Sequence, residues 1–298
     1  MKKYKNIISK YIFNIYAIIV LLIITLIPFL MGISMYNFFY PLSKNYNIFK
    51  DIILSYDWQP FYNKFGLLNF ILISIKIILL SFFVSFILSL FTSIFLSQIL
   101  SNIYYRIALF IFEFMTFIPS FIFAYWGIVL ILPFLKEINV NLKYFPIIFS
   151  SFLLGYMVCP FMVVHITKIL KNNYNNYLFT AYNPELTKYE IFKNILKKTY
   201  KSIILIFSIT FTKITGEAIL LWMVFTYLRT SNIVINTNNE PIVYPLNVLI
   251  TENYSKVLTF EHLRHVIILS TFLVFILNFV INFFTNSYFE KLLAKENE

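Results

Sequence analysis

Cysteine is all but missing from this sequence. Cys159 stands alone inside an apolar block, which excludes an internal disulfide, leaves no second thiol for metal binding and says nothing about redox compartment. Charge is scarce as well. Asp, Glu, Lys and Arg make up 12% of the chain, about half the share of an ordinary soluble domain, while 60% is hydrophobic and the mean hydropathy is +0.78. Those values exclude a soluble globular domain. Only 5 glycines occur, and there is no Walker-type phosphate loop, nucleophile elbow or H-E-x-x-H motif, so the chain has no evident nucleotide site and is not read as an enzyme. Lys and Arg outnumber Asp and Glu to give a formal net charge of +11. No basic stripe interleaved with exposed aromatics supports nucleic-acid binding, however. The aromatics lie within the apolar blocks and at their ends, where Tyr and Trp meet lipid.

What the sequence does contain is a series of long apolar blocks, near 11–33, 67–97, 107–134, 146–169, 203–228 and 265–286. Blocks of about 20 apolar residues match the hydrocarbon thickness of a bilayer, so the expectation is an all-α integral membrane protein with about six transmembrane helices. Residues 1–10 carry the basic character of a signal-sequence start, but the block that follows is too long and lacks a small-residue cleavage site. It is read as a retained first span. With a cytoplasmic N-terminus, fourteen Lys and Arg residues fall in inside segments and eight in outside segments. That places both termini (1–10 and 287–298) in the cytoplasm and the loops 34–66 and 229–264 outside.

The longest inside segment, 170–202, has structure of its own. Asn183-Pro184 reads as a turn, and Thr187-Lys188-Tyr189-Glu190 has the spacing of a capping box. Leu186, Tyr189, Phe192, Leu196 and Tyr200 then recur at spacings of three and four with lysines between them, which predicts a short amphipathic helix. The segment suits an amphipathic helix lying on anionic lipid and a docking element for a soluble partner equally well.

The fifth block holds Lys213 and Glu217 near its middle. Four residues apart, they are expected on one helix face as an ion pair, with Thr210, Thr212 and Thr215 nearby and Gly216 permitting a close helix neighbour. Ionisable groups at membrane depth point to a substrate pathway in which the ammonium attracts an anion and Glu217 holds it in place, or to a self-neutralising structural pair. His165, on an apolar face without a carboxylate or thiol at ligand spacing, reads as a packed or interfacial histidine. His262 and His265, beside Glu261, have spacing open to a metal but read as a solvated segment, so no metal site is expected.

Several segments, in order over residues 55–228, resemble the inner-membrane permease subunits of ATP-binding-cassette importers, with their MetI-like fold, and above all the phosphate permeases of the PstC type. Asp57-Trp58-Gln59-Pro60 with Phe65-Gly66 is similar to a D-W-x-P…F-G stretch, and Leu96-Ser97-Gln98 to an L-S-E span end. The run from Glu113 through Pro119 and Ser120 to Tyr125, Trp126 and Gly127, and on to Pro133-Phe134-Leu135, resembles E-L-L-A-G-I-P-S-V-V-Y-G-L-W-G. Lys213-Ile-Thr-Gly216-Glu217 resembles R-A-x-G-E. The resemblance implies a type I importer permease that moves inorganic phosphate past Lys213, Glu217, Thr212, Thr215 and Glu113. It implies as partners a homologous second permease of the PstA type, an extracytoplasmic phosphate-binding protein and a cytoplasmic ATPase dimer holding the ATP and Mg.

It also implies that residues 177–200 couple the permease to that ATPase through Ala181, Asn183, Pro184, Glu185, Thr187, Tyr189, Glu190 and Phe192. Here the sequence departs from the family. The E-A-A-x-x-x-G core falls on Phe179-Thr180-Ala181 and Glu185, without the first acid or the turn glycine, and the later Leu-Pro falls on Lys197-Lys198. Lys213 also exchanges an arginine's bidentate fork for a point charge. A permease for sulfate or molybdate, and a membrane sensor or scaffold that does not transport, remain alternatives on the sequence.

Overall fold

In a computed structural model, the described residues are 14–23, 25–26, 29–30, 32–33, 36–37, 47–137, 145–180, 188–230, 244–258 and 261–294. They are almost entirely helical. Among the described residues three helices are long and apolar enough to cross a bilayer: Leu68–Gln98, Phe145–Tyr174 and Leu263–Phe284. Two bent pairs bring the number to five if each counts as one span. Of the expected first span, only α1 (Asn14–Ile23) and short pieces after it are described.

The chain divides into two units, residues 1–67 with 255–272 and residues 68–254 with 273–298. In the first unit, the D-W-x-P…F-G stretch forms a small hairpin. β1 (Trp58–Gln59) pairs antiparallel with β2 (Lys64–Phe65). Pro60–Tyr62 makes a single 3-10 turn closed by Asn63 in the left-handed region, at φ 55°, a conformation asparagine tolerates better than most residues. Gly66 donates to the Asp57 carbonyl at 2.7 Å. A Cβ there would lie 2.6 Å from backbone atoms of Asp57 and Ser55, so the glycine is required by close approach.

The second unit is built on α2 (Leu68–Gln98) packed along α6 (Phe145–Thr180). Ser81, Ser85, Ser89, Ser93 and Ser97 repeat every fourth residue of α2, and all are fully buried. Small side chains at this spacing let helices approach closely where no water drives them together. Gly155 of α6 completes the fit, since a Cβ there would meet the Ser81 carbonyl oxygen at 2.7 Å. Ser93 Oγ reaches across to the Val163 carbonyl at 3.4 Å.

The expected third span is not one helix. α3 (Asn102–Thr116) and the helix that follows meet at 97°. Pro119 is extended (φ −60°, ψ 144°) and precedes α4 (Ser120–Trp126). Proline disfavours the helical conformation of the residue before it and starts a helix better than it continues one. α4 runs through a π-turn at Gly127–Ile131 into α5 (Leu132–Glu137), where Pro133 lacks the N–H that an unbroken α-helix needs. Gly127 faces Leu153, whose methyls would touch a Cβ at 2.3 Å.

No helix break falls at residue 203, where the expected fifth block begins. α7 (Lys188–Gly216) carries the amphipathic segment and the first half of the fifth span as one helix of 29 residues. It stops at Gly216, and α8 (Ile219–Thr230) follows at 45°. Leu220, Val224 and Phe225 of α8 join Phe123, Leu153 and Leu154 in the main apolar core. The loop expected over 229–264 holds a short helix, α9 (Leu246–Asn253), and the start of α10 (Glu261–Ala294).

Candidate functional site

The second unit contains a cavity of about 250 Å3 where the two breaks meet. Thr116, Ile118 and Ser120 line it from the break between α3 and α4, Lys213 and Glu217 from the end of α7, and Met157 and Phe161 from α6. A bilayer leaves an irregular backbone unsatisfied unless protein or a water-filled cavity surrounds it, so the coincidence of two breaks and a polar-lined cavity has a physical basis.

Lys213 and Glu217 share the cavity but are not the expected ion pair. The helix ends between them, so the spacing that would stack their side chains no longer applies. Lys213 Nζ lies 3.7 Å from the centroid of the Phe161 ring, where the negative face of the ring attracts a cation. It also occupies the last turn of α7, where the partial negative charge of the helix end favours an ammonium. Glu217 turns to the next helix instead: Oε1 accepts from the Leu220 amide at 3.3 Å, capping the start of α8. The ammonium is therefore held by a ring face and a helix dipole, and it faces the cavity with no carboxylate pairing it among the described residues.

Thr212 and Thr215 face α10 rather than the cavity. Thr212 Oγ1 donates to Asn282 Oδ1 at 3.1 Å, and Thr215 Oγ1 to Asn278 Oδ1. The hydroxyls of a half-buried Thr212 and a buried Thr215, meeting a pair of asparagines four residues apart, join the two helices by interhelical hydrogen bonds. Thr210 is buried. Gly216 has open space where its Cβ would be, so the expected close neighbour at this position is absent. Glu113 is not in the cavity wall. It pairs with Lys168 of α6 at 2.6 Å, with both side chains partly exposed.

The break in the fifth span is held from the far side by a residue the sequence reading passed over. Asn247 of α9 donates through Nδ2 to the Thr215 and Glu217 carbonyls, at 3.0 and 2.9 Å, oxygens that a continuous helix would satisfy internally. α9 is anchored at both ends. The Leu246 amide donates to Ser74 Oγ at 2.7 Å, and Glu252 pairs with Arg229 at the end of α8. Burial, together with the Glu252 carboxylate beside it, pushes the Tyr244 phenol well above its usual range.

Of the family-signature residues, Pro119 and Ser120 form the first break, Gly127 takes the contact with Leu153, and Tyr125 and Trp126 are exposed. Of the coupling residues, Ala181, Asn183, Pro184, Glu185 and Thr187 lie outside the described residues, and Tyr189 has a helical backbone. Glu190 is exposed and Phe192 half-buried. The apolar face is turned by about one residue from the expected one. Ile195 packs with Met162, Ile166 and Leu170 of α6, while Tyr200 is exposed. Among the described residues no group of three His, Cys, Asp or Glu side chains could hold a metal, and His265 is buried rather than solvated. In comparisons with protein families, curated proteins and solved structures, the chain matches none.

Proposed function

We propose that this chain is the permease subunit of an ATP-binding-cassette importer for inorganic phosphate, of MetI-like fold with six spans, in a bacterial inner membrane with both termini cytoplasmic. A homologous second permease completes the pathway, a binding protein delivers phosphate outside, and a cytoplasmic ATPase dimer with its ATP and Mg drives the exchange of access by acting on residues 177–200.

The observation that carries this reading is the Lys213 ammonium, paired with no carboxylate among the described residues and facing a cavity where two broken helices meet. Discontinuous helices meeting within the membrane are a recurring architecture of transporter binding sites. A lysine in lipid costs about 2.5–3.5 kcal/mol on insertion scales, so a Lys213 exposed on the isolated chain is suited to face water or a second subunit. A point charge beside an aromatic face can attract an oxyanion without fixing its orientation, and Glu217, committed to capping α8, leaves that charge available.

The test is phosphate uptake by membranes containing the assembled complex. Lys213→Gln should abolish uptake and leave assembly intact, while Lys213→Arg should retain it because the charge remains. Normal uptake by the Gln variant would refute the role of Lys213.

A further inference from the structure

The exposed face of α6 changes character along its length. Phe152 and Tyr156 are exposed and stacked with ring centroids 6.4 Å apart. Phe161 follows, half-buried beneath Lys213. Beyond it the same face carries His165, Lys168 and Asn172, all exposed, while Val164, Ile166 and Thr167 between them are buried. Spacings of four, three and four keep these residues in one line. The His165 ring meets the Phe161 ring edge-on at 4.4 Å between centroids. At the next step Lys168 reaches Glu113 at 2.6 Å.

A continuous row therefore leads from the cavity: Lys213, Phe161, His165, Lys168, with Glu113 at its end. The outer face of α2 offers a contrast within the same unit. Past the exposed Lys76, from Leu79 to Phe95, its exposed side chains are all apolar: Leu79, Leu80, Phe83, Leu88, Phe91 and Phe95. That surface is fit for lipid. An imidazole within the span is not, because ionisable groups at membrane depth face protein or a water-filled path, and Lys168 and Asn172 carry the row on to the inner end of the span.

We infer that His165 and Lys168 continue the anion path that starts at Lys213, forming a hydrated step along α6 for a small inorganic oxyanion. This rests on the permease reading above and assigns to its pathway two further residues of α6, beyond the Met157 and Phe161 that line the cavity. His165 can donate a hydrogen bond to an anion from either ring nitrogen. Lys168 supplies the next positive charge, and its carboxylate partner Glu113 moderates that charge so that the anion is released rather than trapped. A conducting path must bind weakly enough to let its ion leave.

The test is thiol labelling of the full chain in the membranes of the producing cell. The native thiol, Cys159, is buried and sets the baseline. A His165→Cys variant should react with a negatively charged methanethiosulfonate about tenfold faster than with a positively charged one, since a cationic path concentrates anions. Adding Lys168→Gln should remove that preference, and Phe83→Cys on the lipid face of α2 should react with neither reagent. Inorganic phosphate should slow the reaction at His165→Cys. No reaction there, or no charge preference, would overturn the inference. A charge-selective reaction that phosphate does not slow would leave the path standing and refute phosphate as its substrate. Reconstitution in phosphatidylcholine vesicles with and without phosphatidylglycerol separates the remaining source of anions. Protection by the lipid and not by phosphate would make this a head-group site and overturn the path.

Discussion

An Asn247→Asp substitution keeps the shape of the side chain and removes both of its donors. In the native protein those donors serve the Thr215 and Glu217 carbonyls at 3.0 and 2.9 Å. A hydrogen bond between helices in lipid is worth about 0.6 kcal/mol on average, and one in a soluble protein about 0.5–1.5 kcal/mol. Two lost bonds therefore come to about 1–3 kcal/mol, with carboxylate repulsion of the carbonyls adding to it. By the usual conversion that is a factor of about 5–150 in the local opening equilibrium. Hydrogen–deuterium exchange is the direct readout. Peptides covering 214–222 should exchange faster by that factor, while peptides from the middle of α6 should keep their protection, because opening free energies differ between regions of one structure. Unchanged exchange at the break would show that Asn247 does not hold it. Faster exchange everywhere would show a general loss of stability instead.

Other substitutions separate close packing from open space. Gly155→Ala places a methyl 2.7 Å from the Ser81 carbonyl oxygen and 2.9 Å from Val84 Cβ, so α2 and α6 must part, at about 1–3 kcal/mol and a lower melting temperature in detergent. Gly127→Ala meets first the Leu153 side chain, which can rotate, and should lower the melting temperature less. Gly216→Ala meets nothing within 4 Å and should leave the melting temperature unchanged or raise it slightly. Glu113→Gln breaks a partly exposed pair with Lys168 and should cost under about 1 kcal/mol of stability, so any larger loss of transport in that variant would be functional rather than structural.

The long apolar runs made most of the helices legible: α2 matches its block within a residue at each end, while α6 and α10 contain theirs and run on to Thr180 and Ala294. The breaks were less so. Pro119 announces the first one, through the restriction it places on Ile118, yet its consequence of a 97° turn depends on what α4 packs against. The second has a weaker local signal, a single Gly216 that is not in a left-handed conformation. It is supported by Asn247, 30 residues further on. That distance is why the Lys213 and Glu217 spacing misled: the rule of four holds only while the helix does. The serine ladder of α2 and the Asn278, Asn282 pair of α10 could have been found by their period of four. The apolar face of α7 was displaced because long aromatic side chains such as Tyr200 can sit at a helix edge, where Ile195 and Thr199 take the interior.

α7 has a mechanical consequence. Its 29 residues form one uninterrupted rod, about 43 Å from end to end at the usual rise. Its lysine-rich start and Lys213 near its far end belong to one continuous helix, with the 45° bend placed beyond Lys213, at Glu217–Ala218. A displacement of Lys188–Lys198 along the helix axis would therefore reach Lys213 without meeting a break in the backbone, whereas α8 lies past the bend and packs into the core.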